Sequence, residues 1–113
     1  MTDNQAARQF FRVPYPEFER PVFVSGDATA TVLELSEGGV KLTDCPAEWL
    51  REGELKGTLK LLCGEQRPVT ANFLRSSGTE CIFNCLGGIA YADMLAEQRY
   101  LIRKYGRKIL ERP

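Results

Sequence analysis

The sequence predicts a mainly β protein: a six-stranded antiparallel β-barrel followed by a C-terminal α-helix. Short runs of β-branched and aromatic residues are separated by turn residues about every ten positions, a spacing typical of small barrels and sandwiches. After residue 90 the apolar residues instead recur with the period of a helix. A chain of 113 residues suits a single domain with a small core.

The six predicted strands are bounded by turn residues and carry the enrichment in Val, Thr, Ile and Phe that strands favour. They cover 22–24, 28–35, 40–42, 55–63, 69–74 and 80–86. The turn at 36–39 contains paired glycines, which are expected to supply positive φ at little cost. A single helical turn is predicted at 46–51, with Trp49 and Leu50 facing inward.

An amphipathic helix is predicted over about 91–110. Its apolar positions are Tyr91, Met94, Leu95, Leu101, Ile102, Tyr105 and Ile109. Asp93 and Glu97 fall on the faces that we expect to be solvated. Gly106 costs about 1 kcal/mol relative to Ala inside a helix, so the helix is expected to fray or end there.

The predicted organisation is a flexible N-terminal arm, residues 1–12, followed by the barrel and helix in 13–113. Charge is balanced, with 15 basic and 15 acidic side chains, which argues against DNA or RNA binding through phosphate contacts. The N-terminus lacks the pattern of a signal peptide, and no window approaches the ~18 apolar residues of a membrane span. We therefore expect a cytoplasmic protein that does not insert into membranes.

Enzymatic and metal-binding functions are not indicated. The chain has no histidine, the usual general base and metal ligand, and no phosphate-binding loop or nucleophile elbow. Cysteines at 45, 63, 81 and 85 lack metal-ligand spacing and are predicted to be buried, reduced thiols. We expect no catalytic residues, no metal and no cofactor.

Two arginines, Arg8 and Arg12, form an Arg-x-x-x-Arg motif in the arm. This spacing alone is a weak signal, because it recurs by accident at Arg99 and Arg103 and again at Arg103 and Arg107. On the predicted helix those later pairs more simply form a solvated stripe.

A second motif lies between two predicted strands, at Glu34, Ser36, Gly38 and Gly39. Taken alone, it reads as a hairpin turn in which Ser and Gly are favoured for geometry.

Together and in this order, the two motifs resemble the PilZ domain family over roughly residues 8–105. That family has Arg-x-x-x-Arg before the first strand and Asp/Asn-x-Ser-x-x-Gly at a later strand end, matched here by Arg8, Arg12, Glu34, Ser36 and Gly39. The resemblance implies a six-stranded barrel with a flanking helix, and binding of the bacterial signalling nucleotide cyclic di-GMP.

The implied chemistry suits these residue types. An arginine fork can pair with guanine O6 and N7 or with a phosphate, while Ser36, Gly38 and Gly39 would shape the floor of the site. Glu34 departs from the family's Asp/Asn: its extra methylene moves the carboxylate by about 1 Å, a shift to which hydrogen bonds are sensitive.

Two functions are therefore compatible with the sequence. The first is a cyclic di-GMP receptor that changes the conformation of its arm on binding and signals through a protein partner. The alternative is a PilZ-like module that has lost the nucleotide and acts through protein contacts. Both are compatible with a homodimer. The sequence does not specify the ligand stoichiometry or the output among motility, polysaccharide synthesis, pili and virulence.

Overall fold

The computed structural model describes residues 11–51 and 53–111. These residues form seven strands and one α-helix: β1 (Arg12–Pro14), β2 (Val22–Ser25), β3 (Ala28–Ser36), β4 (Gly39–Thr43), β5 (Leu55–Lys60), β6 (Gln66–Ser77), β7 (Glu80–Cys85) and α1 (Tyr91–Tyr105). Short 3₁₀ turns cover Ala47–Leu50 and Arg107–Leu110.

Six of the strands close into an antiparallel barrel. The order around the barrel is β3, β2, β5, β6, β7 and β4, and β4 pairs back with β3. Closure lets these strands satisfy their backbone hydrogen bonds without exposing a long sheet edge. The predicted six-stranded antiparallel barrel with a C-terminal helix is confirmed.

Strand β1 is an addition that the sequence analysis did not predict. It pairs with the second half of β3, whereas β2 pairs with the first half. Val13 of β1 faces Leu35 of β3, and both side chains are fully buried. This apolar pair fastens β1 to the barrel.

The boundary predicted for the N-terminal arm changes accordingly. Arg12, placed in the flexible arm from the sequence, is the first residue of β1 and pairs with Ser36. The remainder of the arm up to residue 10, with Arg8, lies outside the described residues.

The barrel interior is filled by apolar side chains whose removal from water drives folding. The largest fully buried ones in the strands are Phe23, Phe83, Leu35, Leu42 and Leu59, and α1 adds Met94 and Leu101 to the same core. Trp49 from the 3₁₀ turn is also buried, as predicted, and its ring stands edge-on to Phe23 with centroids 5.6 Å apart. Leu50 is half-buried against the same core.

The four cysteines are free thiols. Cys81 and Cys85 are buried as predicted, whereas Cys45 and Cys63 are only half-buried. Burial raises the pKa of Cys85 to about 11, and burial with the adjacent Cys81 raises the pKa of Cys45 to about 12. Both groups therefore remain protonated at neutral pH, the less reactive form of a thiol.

Helix α1 is shorter than the predicted 91–110. It ends at Tyr105 because Gly106 has φ 95°, a conformation that favours glycine and stops the helix. Among the described residues, no helix is long and apolar enough to cross a membrane.

The inner face of α1 is more polar than predicted. Asp93 and Glu97, expected on solvated faces, are buried beside Met94 and Leu101. Asp93 accepts two hydrogen bonds from Arg67 at 2.9 and 3.0 Å. Glu97 accepts from the Tyr15 hydroxyl and from the backbone N–H groups of Leu62 and Cys63. These bonds compensate for the removal of two carboxylates from water.

Candidate ligand-binding groove

A groove of about 370 Å³ lies on the outer face of the barrel, across β3, β4, β7 and β6. Its volume is in the range of sites for small molecules. Five of the six site residues predicted from sequence line it: Arg12, Glu34, Ser36, Gly38 and Gly39. The sixth, Arg8, lies outside the described residues.

Arg12 reaches the groove because β1 is antiparallel to β3. Arg12 is opposite Ser36 and Pro14 is opposite Glu34, so Arg12 and Glu34 are diagonal neighbours on one face. The Nη1 of Arg12 donates to Oε2 of Glu34. Because the Glu34 side chain is only 4% exposed and Arg12 is 50% exposed, the guanidinium forms the outer member of this ion pair.

A β-bulge directs Glu34 into the groove. Val32 is opposite Leu42, but the next partners are Glu34 and Lys41, so one extra residue stands in β3. Without that insertion, regular alternation would place Glu34 opposite Val40, whose side chain is buried in the core. The bulge therefore keeps a carboxylate out of the barrel interior, where its desolvation would be expensive.

The turn from Ser36 to Gly39 forms one wall of the groove and is held by backbone contacts. The Gly38 carbonyl accepts from Cys85 N–H at 2.8 Å, and the Glu37 carbonyl accepts from Ile89 N–H at 2.9 Å. Ser36 Oγ donates to the Gly39 carbonyl over a longer 3.4 Å. The turn is thus tied to the end of β7.

The glycines of this turn do not play the part expected from sequence. Neither Gly38 nor Gly39 has a positive φ. A Cβ on Gly39 would lie 2.0 Å from the Phe83 carbonyl oxygen, so this glycine is needed for the close approach of β4 to β7.

Sequence reasoning missed the residues that β4, β6 and β7 contribute to the groove. These are Val40, Lys41, Leu74, Arg75, Ile82 and Asn84. None of these residues belongs to a short motif. For the polar ones, the only signal in the sequence was a single polar residue within a predicted strand. Such a signal does not reveal which outward face a residue shares with Glu34.

The electrostatics of the groove differ from those of the chain. Arg12, Lys41 and Arg75 bring three positive charges to a lining with a single carboxylate, Glu34, whereas the whole chain has no net charge. The Nζ of Lys41 also lies 3.8 Å from Oε1 of Glu80, the first residue of β7. A local positive potential of this kind attracts small anions.

Fold and groove together define a class: a small closed β-barrel domain with a positively charged, ligand-sized groove on its outer face. Comparison of the chain with protein-family models, with curated proteins and with solved structures found no match.

Proposed function

We propose that this chain is a PilZ-type receptor domain that binds cyclic di-GMP in the groove. One observation supports this above the others: Arg12 of the first motif lines one positively charged groove together with Glu34, Ser36 and Gly39 of the second, although Arg12 and Glu34 are 22 residues apart in sequence. The proposed activity is binding rather than catalysis, and the output passes to a protein partner.

The chemistry of the groove suits a compact dianion that carries guanines. A guanidinium carries its N–H donors in a planar fork that suits a phosphate or the Hoogsteen edge of a guanine, and we assign that contact to Arg12. The Glu34 carboxylate offers acceptors for the N1–H and N2–H groups of guanine. Ser36 supplies a hydroxyl from the adjacent turn.

The expectation that the arm changes conformation on binding rests on the polar sequence of residues 1–12, which has no strand or helix pattern, and on the two arginines that would close over the ligand. Of residues 1–12, the structure describes Phe11 and Arg12. Arg12 links the groove to β1, so a ligand that engages its guanidinium acts on the strand that leads out of the arm.

A second candidate function is supported by the Arg12–Glu34 ion pair itself. In this chain the longer Glu34 already holds an internal cation, in a nearly buried position. Exchanging that partner for a guanine edge requires rearrangement of a buried charge, which is costly. The same fold would then act as a protein-interaction module without nucleotide.

The deciding experiment is a calorimetric titration of the full chain with cyclic di-GMP, with GTP and cyclic di-AMP as controls. Saturable and selective binding supports the receptor. Arg12→Ala should weaken binding roughly 10- to 100-fold, because it removes a charge-assisted contact. The matched variant Arg99→Ala, on the exposed surface of α1, should bind as the wild type does.

Absence of saturable binding by the wild-type chain would exclude the receptor and favour the protein-interaction module. If Arg99→Ala and Arg12→Ala weakened cyclic di-GMP binding equally, the binding site would not be the groove. The thermal midpoint of each variant is measured in parallel, since Arg12→Ala also uncovers the buried Glu34 carboxylate.

A further inference from the structure

The end of the groove opposite Arg12 is shaped by a second β-bulge, in β6. Phe73 is opposite Phe83, but the next partners are Arg75 and Ile82, so Leu74 is the extra residue. As a result the consecutive residues Leu74 and Arg75 both line the groove. A regular strand would direct only one of them to that face.

The bulge is explained by the cost of the alternative register. Without it, Arg75 would be opposite Cys81, whose side chain is buried in the core. A guanidinium without a partner in the barrel interior is far more costly than an exposed leucine. The bulge thus exposes Arg75 and, with it, leaves Leu74 59% exposed.

The groove consequently has two chemically different ends, joined by one row of cross-strand partners. The row runs through Glu34, Lys41, Ile82 and Arg75. Three inter-strand steps separate β3 from β6, so the two ends lie about 14 Å apart along the barrel surface. One end offers the Arg12–Glu34 ion pair, and the other offers two apolar side chains beside an arginine.

Arg75 differs from the other groove cations in its pairing. Arg12 is paired with Glu34, and Lys41 lies near Glu80. Within residues 11–51 and 53–111, Arg75 forms no ion pair. An exposed leucine next to such an arginine matches a flat, apolar ligand surface with hydrogen-bond acceptors on its edge.

We propose that Leu74 and Ile82 form a platform for the second guanine of cyclic di-GMP, and that Arg75 reads the O6 and N7 edge of that base. This inference rests on the proposed function and adds the residues that determine base specificity. Guanine offers two acceptors to an arginine fork, whereas adenine replaces O6 by an N6 donor. Arg75 should therefore favour guanine over adenine at this end.

The test is calorimetric titration of four full-length variants with cyclic di-GMP and with cyclic di-AMP. Leu74→Ala should weaken cyclic di-GMP binding about three- to tenfold through lost apolar contact. The matched control Leu86→Ala removes a leucine that is 48% exposed and lies outside the groove lining, and should have no effect.

Arg75→Ala should weaken cyclic di-GMP binding roughly 10- to 100-fold. It should also reduce the ratio of the affinity for cyclic di-GMP to the affinity for cyclic di-AMP. Arg75→Lys keeps the charge but not the planar fork, so it should restore only part of the loss. Full rescue by lysine would overturn the base-reading role, because a point charge would then suffice.

The two proposals fail in different ways. If the wild-type chain does not bind cyclic di-GMP, the proposed function falls and this inference falls with it. If the wild-type chain binds cyclic di-GMP, and Leu74→Ala and Arg75→Ala bind it as tightly as the wild type does, the proposed guanine platform is wrong. The proposed receptor function is then unaffected.

Discussion

Gly38 and Gly39 are adjacent in the turn before β4, yet the space around their α-carbons differs. A Cβ on Gly38 would have Asn84 Oδ1 at 3.9 Å as its nearest neighbour, which is ordinary contact. A Cβ on Gly39 would collide with backbone atoms of Phe83. Two residues that the motif treats alike therefore have different physical roles.

Gly39→Ala should destabilise the fold by about 1–3 kcal/mol, as overpacking does, because β4 must move away from β7. Gly38→Ala should leave stability unchanged or slightly raised, since alanine restricts the unfolded chain and meets no obstacle. Urea denaturation of both variants measures the difference. Equal stability of the two would show that the β4–β7 spacing is not constrained by Gly39.

At the scale of elements, α1 is joined to the barrel by polar as well as apolar contacts. Glu97 is fully buried and accepts from the Tyr15 hydroxyl at 2.6 Å, from Leu62 N–H at 3.0 Å and from Cys63 N–H at 2.8 Å. Burial, together with this carboxylate, raises the pKa of the Tyr15 phenol, which stays a neutral donor. One side chain thus connects α1 to the segment after β1 and to the turn after β5.

Glu97→Ala should lower the free energy of unfolding by about 3–5 kcal/mol, because the Tyr15 hydroxyl and two part-buried backbone N–H groups lose their acceptor. Tyr15→Phe removes one donor and leaves the other two bonds, so it should cost only about 1 kcal/mol. Chemical denaturation followed by circular dichroism gives both values. A small effect of Glu97→Ala would mean that water can replace the carboxylate and that the helix is held by its apolar face.

At the scale of the whole molecule, the segment between β1 and β2 is fastened to the C-terminal end of α1. The Glu19 carboxylate accepts from the hydroxyls of Tyr100 and Tyr105 and lies 2.9 Å from Lys104 Nζ. These hydrogen bonds, those from the tyrosines first, lower the pKa of Glu19 from 4.5 to about 2. The folded state therefore stabilises the ionised form of the Glu19 carboxyl.

This pKa shift predicts a loss of stability in acid. The contribution of Glu19 is fully present above pH 4.5, the ordinary pKa, and disappears as the pH falls toward the folded value of about 2. Thermal midpoints measured between pH 2 and 6 should fall in that window for the wild type and less steeply for Glu19→Gln. The exposed residue Glu48 provides the control, and Glu48→Gln should follow the wild-type curve. If the thermal midpoints of Glu19→Gln and wild type fell in parallel with pH, the loss of stability in acid would not come from Glu19.

Much of the architecture was predictable because it depends on local pattern. Alternation and turn spacing predicted the six barrel strands, and the helical period predicted α1 from Tyr91 onward. The stop at Gly106 follows from the backbone freedom of glycine. Strand ends were less accurate: β6 extends over 66–77 rather than 69–74, because pairing with β5 and β7 prolongs it beyond its apolar run.

The site was predictable only in part, because two β-bulges decide which side chains face the groove. A bulge shifts the two-residue alternation by one, and its position depends on the partner strand rather than on the bulged strand alone. The motif identified Glu34 without this knowledge, whereas Arg75 and Leu74 carry no motif and were missed.

The sequence by itself determined the fold class, the helix and a candidate pair of motifs, since each is written in residues close together along the chain. Only the tertiary structure decided that Arg12 belongs to a strand, that Gly39 serves packing and that Glu97 is buried. The physical reason is distance in sequence: Glu97 finds its donors 34 to 82 residues away, and a buried carboxylate is stable only once those donors are in place.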